Sequence, residues 1–562
     1  MPTFKALAIS FVGFFCVLTL EAQMYEEPIT PPLKIPIALS GTFAELRSSH
    51  FHAGLDIKTQ GRQGLSVYGV WEGYISRILV STSGYGKALY VTHPNGLVSV
   101  YAHLKKFAPK IEAYVKKLQY EKESFTLQKF PKGDEIKIEQ GELIGFSGNT
   151  GGSFGPHLHF ELREADSQRP VNPLLHGIKV EDQIKPQLRK LFMFAKTDDD
   201  SLQMVKEFVL NKLNDSLYVT PLIKAGGQLG FGLQLFDRQD RSWNKNGIYK
   251  IRLRVNGQDF FDYRFDDFSF QDSKAISQLI DYKTYMDEGT RIQKVFDPLF
   301  EDLSFIKQTT NGILNAAPGK SYQLVFEVSD FQGNTSYIET YLEGIETEIA
   351  TTDTNTNDRS LIVPEKDYLF DFEGIEVYFP KKSLYRPHLL KINGKKDTLF
   401  LDRNRLPLRT ALELQFPAAT QDSREQKQSF IALLNKKNKP SYVYTYYKEG
   451  SWRAKTKILG TYTIARDTLA PEIKPLNFKP GQWLSNYRFL KVKIGDDFSG
   501  IRSYKTYING KWARFEYEPK DGTLIYDFED QKFEAAEHQL LIIVEDNSKN
   551  SSRYETVFYR KY

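Results

Sequence analysis

From about Ile37 to Arg163 the chain alternates short apolar runs with glycine turns. Gly69-Val70-Trp71-Glu72-Gly73-Tyr74-Ile75, Ala88-Leu89-Tyr90-Val91-Thr92 and Leu97-Val98-Ser99-Val100-Tyr101 each read as a strand. The last two are joined by His93-Pro94-Asn95-Gly96, and Asn-Gly is a strong hairpin signal. These runs predict an antiparallel β domain over residues 37–179. One stretch breaks the period of two. Phe107, Ile111, Val115 and Leu118 recur at helical spacing, with Lys110, Lys116, Lys117 and Lys122 on other faces. An amphipathic helix over 107–123, inserted in the β domain, is the expectation. Its lysines are expected to form a solvated face, with contact to an anionic polymer or a partner as the alternative.

Alternating runs continue after residue 180. Ser321 to Glu339 (SYQLVFEVSDFQGNTSYIE) resembles His538 to Glu555 (HQLLIIVEDNSKNSSRYE). Gly247 to Gly257 (GIYKIRLRVNG) likewise resembles Gly500 to Gly510 (GIRSYKTYING). Two motifs recurring in one order imply a diverged internal duplication. Copies of roughly a hundred residues with many short strands suggest immunoglobulin-like β-sandwiches. The expected organisation is therefore mainly β. A β domain with an insert near 270–318 occupies 180–345, and a polar linker containing TTDTNTNDR occupies 346–360. A further β-rich domain, with runs at Gly374–Phe379 and Tyr442–Tyr446, covers 361–466. A C-terminal immunoglobulin-like domain covers 467–562.

The N-terminus changes the picture of where the chain works. Lys5 precedes an apolar run from Leu7 to Leu20, too short to span a bilayer comfortably but suited to a signal peptide over 1–22. Cleavage is expected after Ala22, followed by an extended proline-rich lead-in over 23–36. The single cysteine, Cys16, lies inside that run, so the mature chain has no disulfide and depends on apolar cores. No later stretch has membrane-spanning length. Of the chain, 41% is hydrophobic and 26% charged, an ordinary folded composition, and 14% aromatic residues favour strands. A net charge of +5 over 562 residues is too small to argue for nucleic acid. Export places the protein in the periplasm, the cell envelope or the exterior.

Chemistry concentrates in the first β domain. Six of nine histidines (His50, His52, His93, His103, His157, His159) fall between positions 50 and 159, a clustering that scattered core histidines would not produce. His157 and His159, one residue apart on an extended segment, point to one face. His52 and Asp56 supply one more nitrogen and a carboxylate oxygen. Three nitrogen or oxygen ligands with an open position are the signature of a catalytic zinc. Gly151, Gly152 and Gly155 fit a loop that lets a substrate backbone approach. Asn149 and Thr150 are turn formers first and substrate contacts second. Glu161 is expected to face away from His157 and His159, which gives it no part as a general base. His93, at a hairpin tip, is expected to be structural.

His52-x-x-x-Asp56, Tyr101-Ala102-His103-Leu104, and Gly148-Asn149-Thr150-Gly151 running into Gly155-Pro156-His157-Leu158-His159-Phe160 resemble the LytM/lysostaphin-type zinc metalloendopeptidases, peptidase family M23. The resemblance covers about 40–165. It implies one zinc held by His52, Asp56 and His159, with His103 and His157 as the catalytic pair. His50 is the rival first ligand, and the His-x-x-x-Asp spacing favours His52. The implied reaction is hydrolysis of peptide cross-links of peptidoglycan by zinc-activated water, on an antiparallel sheet. The alternatives are a non-catalytic regulator of another wall hydrolase, which would lack metal ligands, and a protease acting on proteins. Cell-wall or envelope proteins are candidate partners of the β modules. The helical segment departs from the family's shorter connection.

Overall fold

The computed structural model describes residues 28–561, apart from 48, 197–201, 297–302, 307–309, 347–357, 403–404, 419, 421 and 533. The expected signal peptide, the start of the lead-in and most of the expected linker lie outside the described residues. The architecture is mainly β, built of antiparallel sheets with few helices.

The N-terminal unit contains β1 (Leu39–Gly41), β2 (Leu55–Lys58), β3 (Ser66–Tyr68), β4 (Gly73–Val80), β5 (Lys87–Thr92), β6 (Leu97–Ala102) and β7 (Lys106–Phe107). Helix α1 (Pro109–Lys122) follows, then β8 (Leu127–Lys129), β9 (Lys137–Ile138), β10 (Leu143–Phe146), β11 (His157–Glu164) and β12 (Pro170–Val171). A nine-stranded sheet runs β1-β2-β11-β6-β5-β4-β8, with β12 on β11 and β9 on β4, while β3-β10-β7 form a separate three-stranded sheet. In β11, Leu158, Phe160 and Leu162 enter the core, so His157, His159 and Glu161 share the opposite face. Burying Phe160 alone stabilises by about 1.5–3 kcal/mol. In β2, Leu55 and Ile57 enter the same core and Asp56 opposes them. The register sets His159 opposite Asp56 on one side and opposite Ala102 of β6 on the other. β2 and β11 thus bring Asp56, His157 and His159 to one face, with His52 just before β2 and His103 just after β6.

Two elements differ from expectation. The strand expected over 69–75 starts only at Gly73 and runs to Val80. Before it, Val70 N–H donates to Tyr101 OH at 2.9 Å and Val70 carbonyl accepts from Thr30, so its backbone is satisfied outside the ladder. The helix starts at Pro109, not at 107. Phe107 pairs with Gly145 in β7, Pro109 supplies the first turn without needing an N–H, and Glu123 (φ 47°) closes the helix in the left-handed region.

The core does not stop at residue 179. Phe51 packs on Phe265, Phe268 and Phe305 with ring centroids 5.9, 5.4 and 5.4 Å apart, within one apolar cluster running from Leu33 to Leu342. The sheets between Gln187 and Gly344 therefore buttress the site-bearing unit. Separate cores lie between two five-stranded sheets (Ile362 to Tyr462) and two four-stranded sheets (Phe478 to Phe558). The run expected at 442–446 divides: Pro440–Tyr442 joins one sheet and Thr445–Lys448 the other. Both repeated motifs fold alike. Asn256 and Asn509 take φ of 50° and 53° in their Asn-Gly turns. The side chains of both accept a backbone N–H, from Gln323 and Gln539, at 2.8 Å.

The C-terminal unit reaches back to the helix. Lys116 Nζ lies 2.5 Å from Asp530, whose carboxylate also takes Arg514 at 2.6 Å. Tyr120 and Trp512 meet edge to face at 5.1 Å, and Lys87 pairs with Glu516 at 2.7 Å. Lys520 donates to the Asn149 carbonyl. Lys117 keeps the expected solvated position, but Lys116 binds another part of the same chain. No helix among the described residues is long and apolar enough to cross a membrane.

Candidate metal centre

His52 Nε2, Asp56 Oδ1 and His159 Nδ1 form a triangle. The edges are 2.9 Å (His52 to Asp56), 3.0 Å (His52 to His159) and 2.9 Å (His159 to Asp56). The outer atoms fix what the inner ones are. His52 Nδ1 lies 2.7 Å from the Thr42 carbonyl, which only accepts, so the neutral ring carries its proton there and Nε2 keeps a lone pair. His159 Nε2 donates to Glu161 Oε1 at 2.7 Å, leaving the lone pair at Nδ1. Arg47 holds the other Asp56 oxygen at 2.8 Å. Three acceptor atoms thus face one another with no donor between them. A tetrahedral ion with bonds of about 2.0–2.1 Å needs donors about 3.3 Å apart, close to this triangle. The donor set, two imidazoles and a carboxylate, fits zinc.

Electrostatics carry the same message. Burial works against a charged His159, but hydrogen bonds to Asp56 and Glu161, and their charges, hold it up at about 9. Burial also opposes the Asp56 carboxylate. The surrounding histidines, His52 foremost, outweigh that and keep it well below the usual range. The centre calls for a cation, and a proton takes the place in the metal-free chain.

Two more histidines stand beside it. His157 Nε2 is 3.3 Å from Asp56 Oδ1, and its Nδ1 donates to the Gly155 carbonyl at 2.8 Å, with Ser153 Oγ at 3.1 Å. His103 Nδ1 donates to the Thr150 carbonyl at 2.8 Å. Its ring centroid is 4.8 Å from that of His157 and 5.8 Å from that of His159. Burial first, then the charges of His159 and His157, lower His103 to about 3. His103 also sits at φ 57°, a strained conformation for a residue with a Cβ. Thr150 makes this geometry rigid. Its hydroxyl donates to the Leu104 carbonyl at 2.9 Å and accepts from Lys87 N–H at 3.0 Å.

All five sequence-derived site residues, His52, Asp56, His103, His157 and His159, therefore lie together. His50 is exposed beside Ser49, outside the triangle. His93 is buried between the Glu72 carbonyl (2.6 Å) and Ser99 Oγ (2.7 Å). Glu161 corrects an expectation. It shares the face of His157 and His159, as alternation by two requires, and orients His159 instead of turning away. Tyr85 OH donates to Glu161 Oε1 at 2.5 Å, and Arg163 grips Oε2 at 2.6 Å. Burial alone would raise Glu161, but Arg163 above all brings it down to about 2. Thr42, Arg47, Tyr85 and Arg163 join the site without a sequence motif that names them. For Glu161 and Arg163 the signal was the same alternation that pairs the two histidines.

The model of peptidase family M23 matches residues 125–173, and that of the Zu5-like domain matches residues 359–467. Over 129 residues the chain is 33% identical to the DD-carboxypeptidase/endopeptidase Mpg of Neisseria meningitidis serogroup B, covering 23% of each protein. Over 125 residues it is 28% identical to the peptidoglycan DD-endopeptidase ShyA of Vibrio cholerae, covering 22% of this chain and 23% of that one. The chain spans about a quarter of the length of these curated relatives. The catalytic domain of the antimicrobial peptidase lysostaphin from Staphylococcus simulans aligns over 25% of this chain and 87% of that one, at 23% identity and a TM-score of 0.18.

Proposed function

We propose that this chain, which carries a domain of peptidase family M23, is an exported zinc endopeptidase that hydrolyses peptide cross-links of peptidoglycan. The observation that carries the reading is the triangle of lone-pair donors at 2.9–3.0 Å, with each outer atom already engaged. His52, Asp56 and His159 would hold one Zn²⁺. When bound, it would polarise the scissile carbonyl and bring the pKa of water towards about 7. His103 and His157 each donate Nδ1–H to a backbone carbonyl, so each offers a lone pair at Nε2. One such imidazole accepts the proton of the attacking water and passes it to the leaving amine. The other, once protonated, donates to the developing oxyanion. Burial first, then the charges of His159 and His157, lower His103 to about 3, so it is uncharged at neutral pH. The two-sheet units over 180–345 and 467–562 are read as immunoglobulin-like modules and that over 361–466, matched by the Zu5-like model, as a further β-rich domain; together they would space or position the catalytic unit at the wall.

A regulator that only binds would fit a centre lacking a donor, and the presence of all three donors favours the enzyme. Digestion of purified cross-linked peptidoglycan, with fragments identified by mass, tests the reading. His157→Ala is expected to keep zinc and lose cleavage, and His159→Ala to lose both. Full turnover by His157→Ala would sink the assigned role.

A further inference from the structure

The duplicated hairpins carry an arrangement that the peptidase chemistry does not use. In the first copy a carboxylate oxygen from each of Asp182, Asp237 and Asp330 lies within 4.8 Å of the others, and in the second Asp467, Asp496 and Asp546 repeat this. The surroundings repeat as well. Asp330 takes Asn334 N–H and Nδ2 at 2.9 and 2.7 Å, and Asp546 takes Asn550 N–H and Nδ2 at 2.8 and 2.8 Å. Asn334 Nδ2 also donates to the Asp182 carbonyl at 3.0 Å, and Asn550 Nδ2 to that of Asp467 at 3.1 Å. Two copies that diverged in sequence have kept one three-carboxylate geometry.

Hydrogen bonding inside a cluster does not by itself ask for a ligand, but unpartnered buried atoms do. Asp237 is only 2% exposed, and its Oδ1 has no hydrogen-bond partner among the described residues. Asn246, 3% exposed, stands directly opposite Asp237 in the strand pair, hence on the same face, and neither its Oδ1 nor its Nδ2 has a partner. In the second copy Asp496 Oδ1 is buried without a partner. So is the hydroxyl of Ser499, whose backbone N–H holds Asp467 at 3.1 Å. Leaving such polar atoms buried and unmet is unfavourable, and a bound ion would meet them. Burial foremost, then the charges of Asp330 and Asp182, push Asp237 up to about 9. Burial first, with Asp330 and Asp240 adding to it, pushes Asp182 up to about 7. The cluster is therefore short of positive charge.

We propose that Asp182, Asp237 and Asp330 hold a divalent cation of the calcium class, and that Asp467, Asp496 and Asp546 hold a second in the equivalent place. Hard oxygen donors without histidine or cysteine suit Ca²⁺, which accepts carboxylate, amide and hydroxyl oxygens in variable geometry, and not zinc. Each ion ties the segment entering the module to the hairpin between its last two strands. The modules are then stiffened by the ion in a chain whose single cysteine, Cys16, allows no internal disulfide.

The test is calorimetric titration of the zinc-loaded full chain with CaCl₂ over about 10⁻⁵–10⁻² M, bracketing the affinities of calcium modules outside the cell. Zinc loading keeps Ca²⁺ out of the histidine centre. The wild-type chain is expected to take up two equivalents, Asp237→Asn one, Asp496→Asn one, and the double variant none. Without calcium, Asp237→Asn replaces a carboxyl already raised to about 9 by a neutral isostere, so its thermal midpoint is expected not to fall. Undiminished uptake by the double variant overturns the assignment. Should a variant lose its fold, the wild-type chain still decides: Ca²⁺ must raise its thermal midpoint, and an unmoved transition together with no saturable heat overturns both sites.

Discussion

Glu161→Gln isolates the part of the centre that was least expected. The Glu161 side chain is fully buried and serves three donors: His159 Nε2–H at 2.7 Å and Tyr85 OH at 2.5 Å on Oε1, and Arg163 at 2.6 Å on Oε2. Glutamine keeps the shape but has one acceptor oxygen. If that oxygen faces His159, the amide NH₂ meets the Arg163 guanidinium, donor against donor. If the amide is reversed, NH₂ meets His159 Nε2, which favours the tautomer with its proton on Nδ1, where the lone pair is needed. Changing the partner that orients a metal-bound histidine typically costs 10–100-fold in affinity, about 1.4–2.7 kcal/mol. Removing one side of a buried ion pair adds a stability loss of up to about 3–5 kcal/mol, since Arg163 stays buried. The assay is a competition titration of zinc against a chromophoric chelator, with a thermal melt of the same metal-free protein. Tyr85→Phe is the control. It removes one hydroxyl, leaves both carboxylate oxygens, and is expected to stay within about threefold of wild type. Wild-type zinc affinity in a folded Glu161→Gln chain would refute the orienting role.

Other perturbations probe the frame. At Gly148 a Cβ would sit 2.3 Å from Lys105 N and 2.6 Å from the His103 carbonyl, both backbone atoms that cannot swing aside. Gly148→Ala is therefore expected to destabilise by about 1–3 kcal/mol and to lower turnover by shifting the loop that orients His103; an unchanged melt and rate would argue against that tight fit. Lys116→Ala with Trp512→Ala removes an ion pair and an edge-to-face contact, worth together about 1–2.5 kcal/mol, between α1 and the C-terminal unit. Small-angle scattering is expected to show a larger radius of gyration in that double variant, and an identical profile would mean the contact does not hold the units together.

Much of the centre was legible because catalytic metal sites impose residue types at set spacings. His157-x-His159 on a strand and His52 with Asp56 a turn away carry their geometry in the sequence. What brings them together does not: β2 lies beside β11 across about a hundred residues, a non-local pairing that no local pattern specifies. The carbonyls of Thr42, Thr150 and Gly155 fix three imidazoles, yet a backbone carbonyl has no residue signature. Glu161 was misplaced although alternation by two sets 157, 159 and 161 on one face. The edges of elements moved where backbone groups found partners outside the ladder, as at Val70, or where Pro109 set the first helical turn. Helical periodicity identified α1, but its docking on residues four hundred positions later depends on the whole fold. The duplication was visible as two repeated motifs, whereas Asp182 and Asp237 join Asp330 only when the sheets assemble.

The most direct test of the central claim is a zinc titration of the metal-free chain with hydrolysis of cross-linked peptidoglycan followed in the same samples. Cleavage is expected to rise linearly, to stop at one equivalent of zinc, and to stay absent in His159→Ala at any zinc concentration. Cleavage by the metal-free chain, or one tightly bound zinc with no cleavage at all, would contradict it.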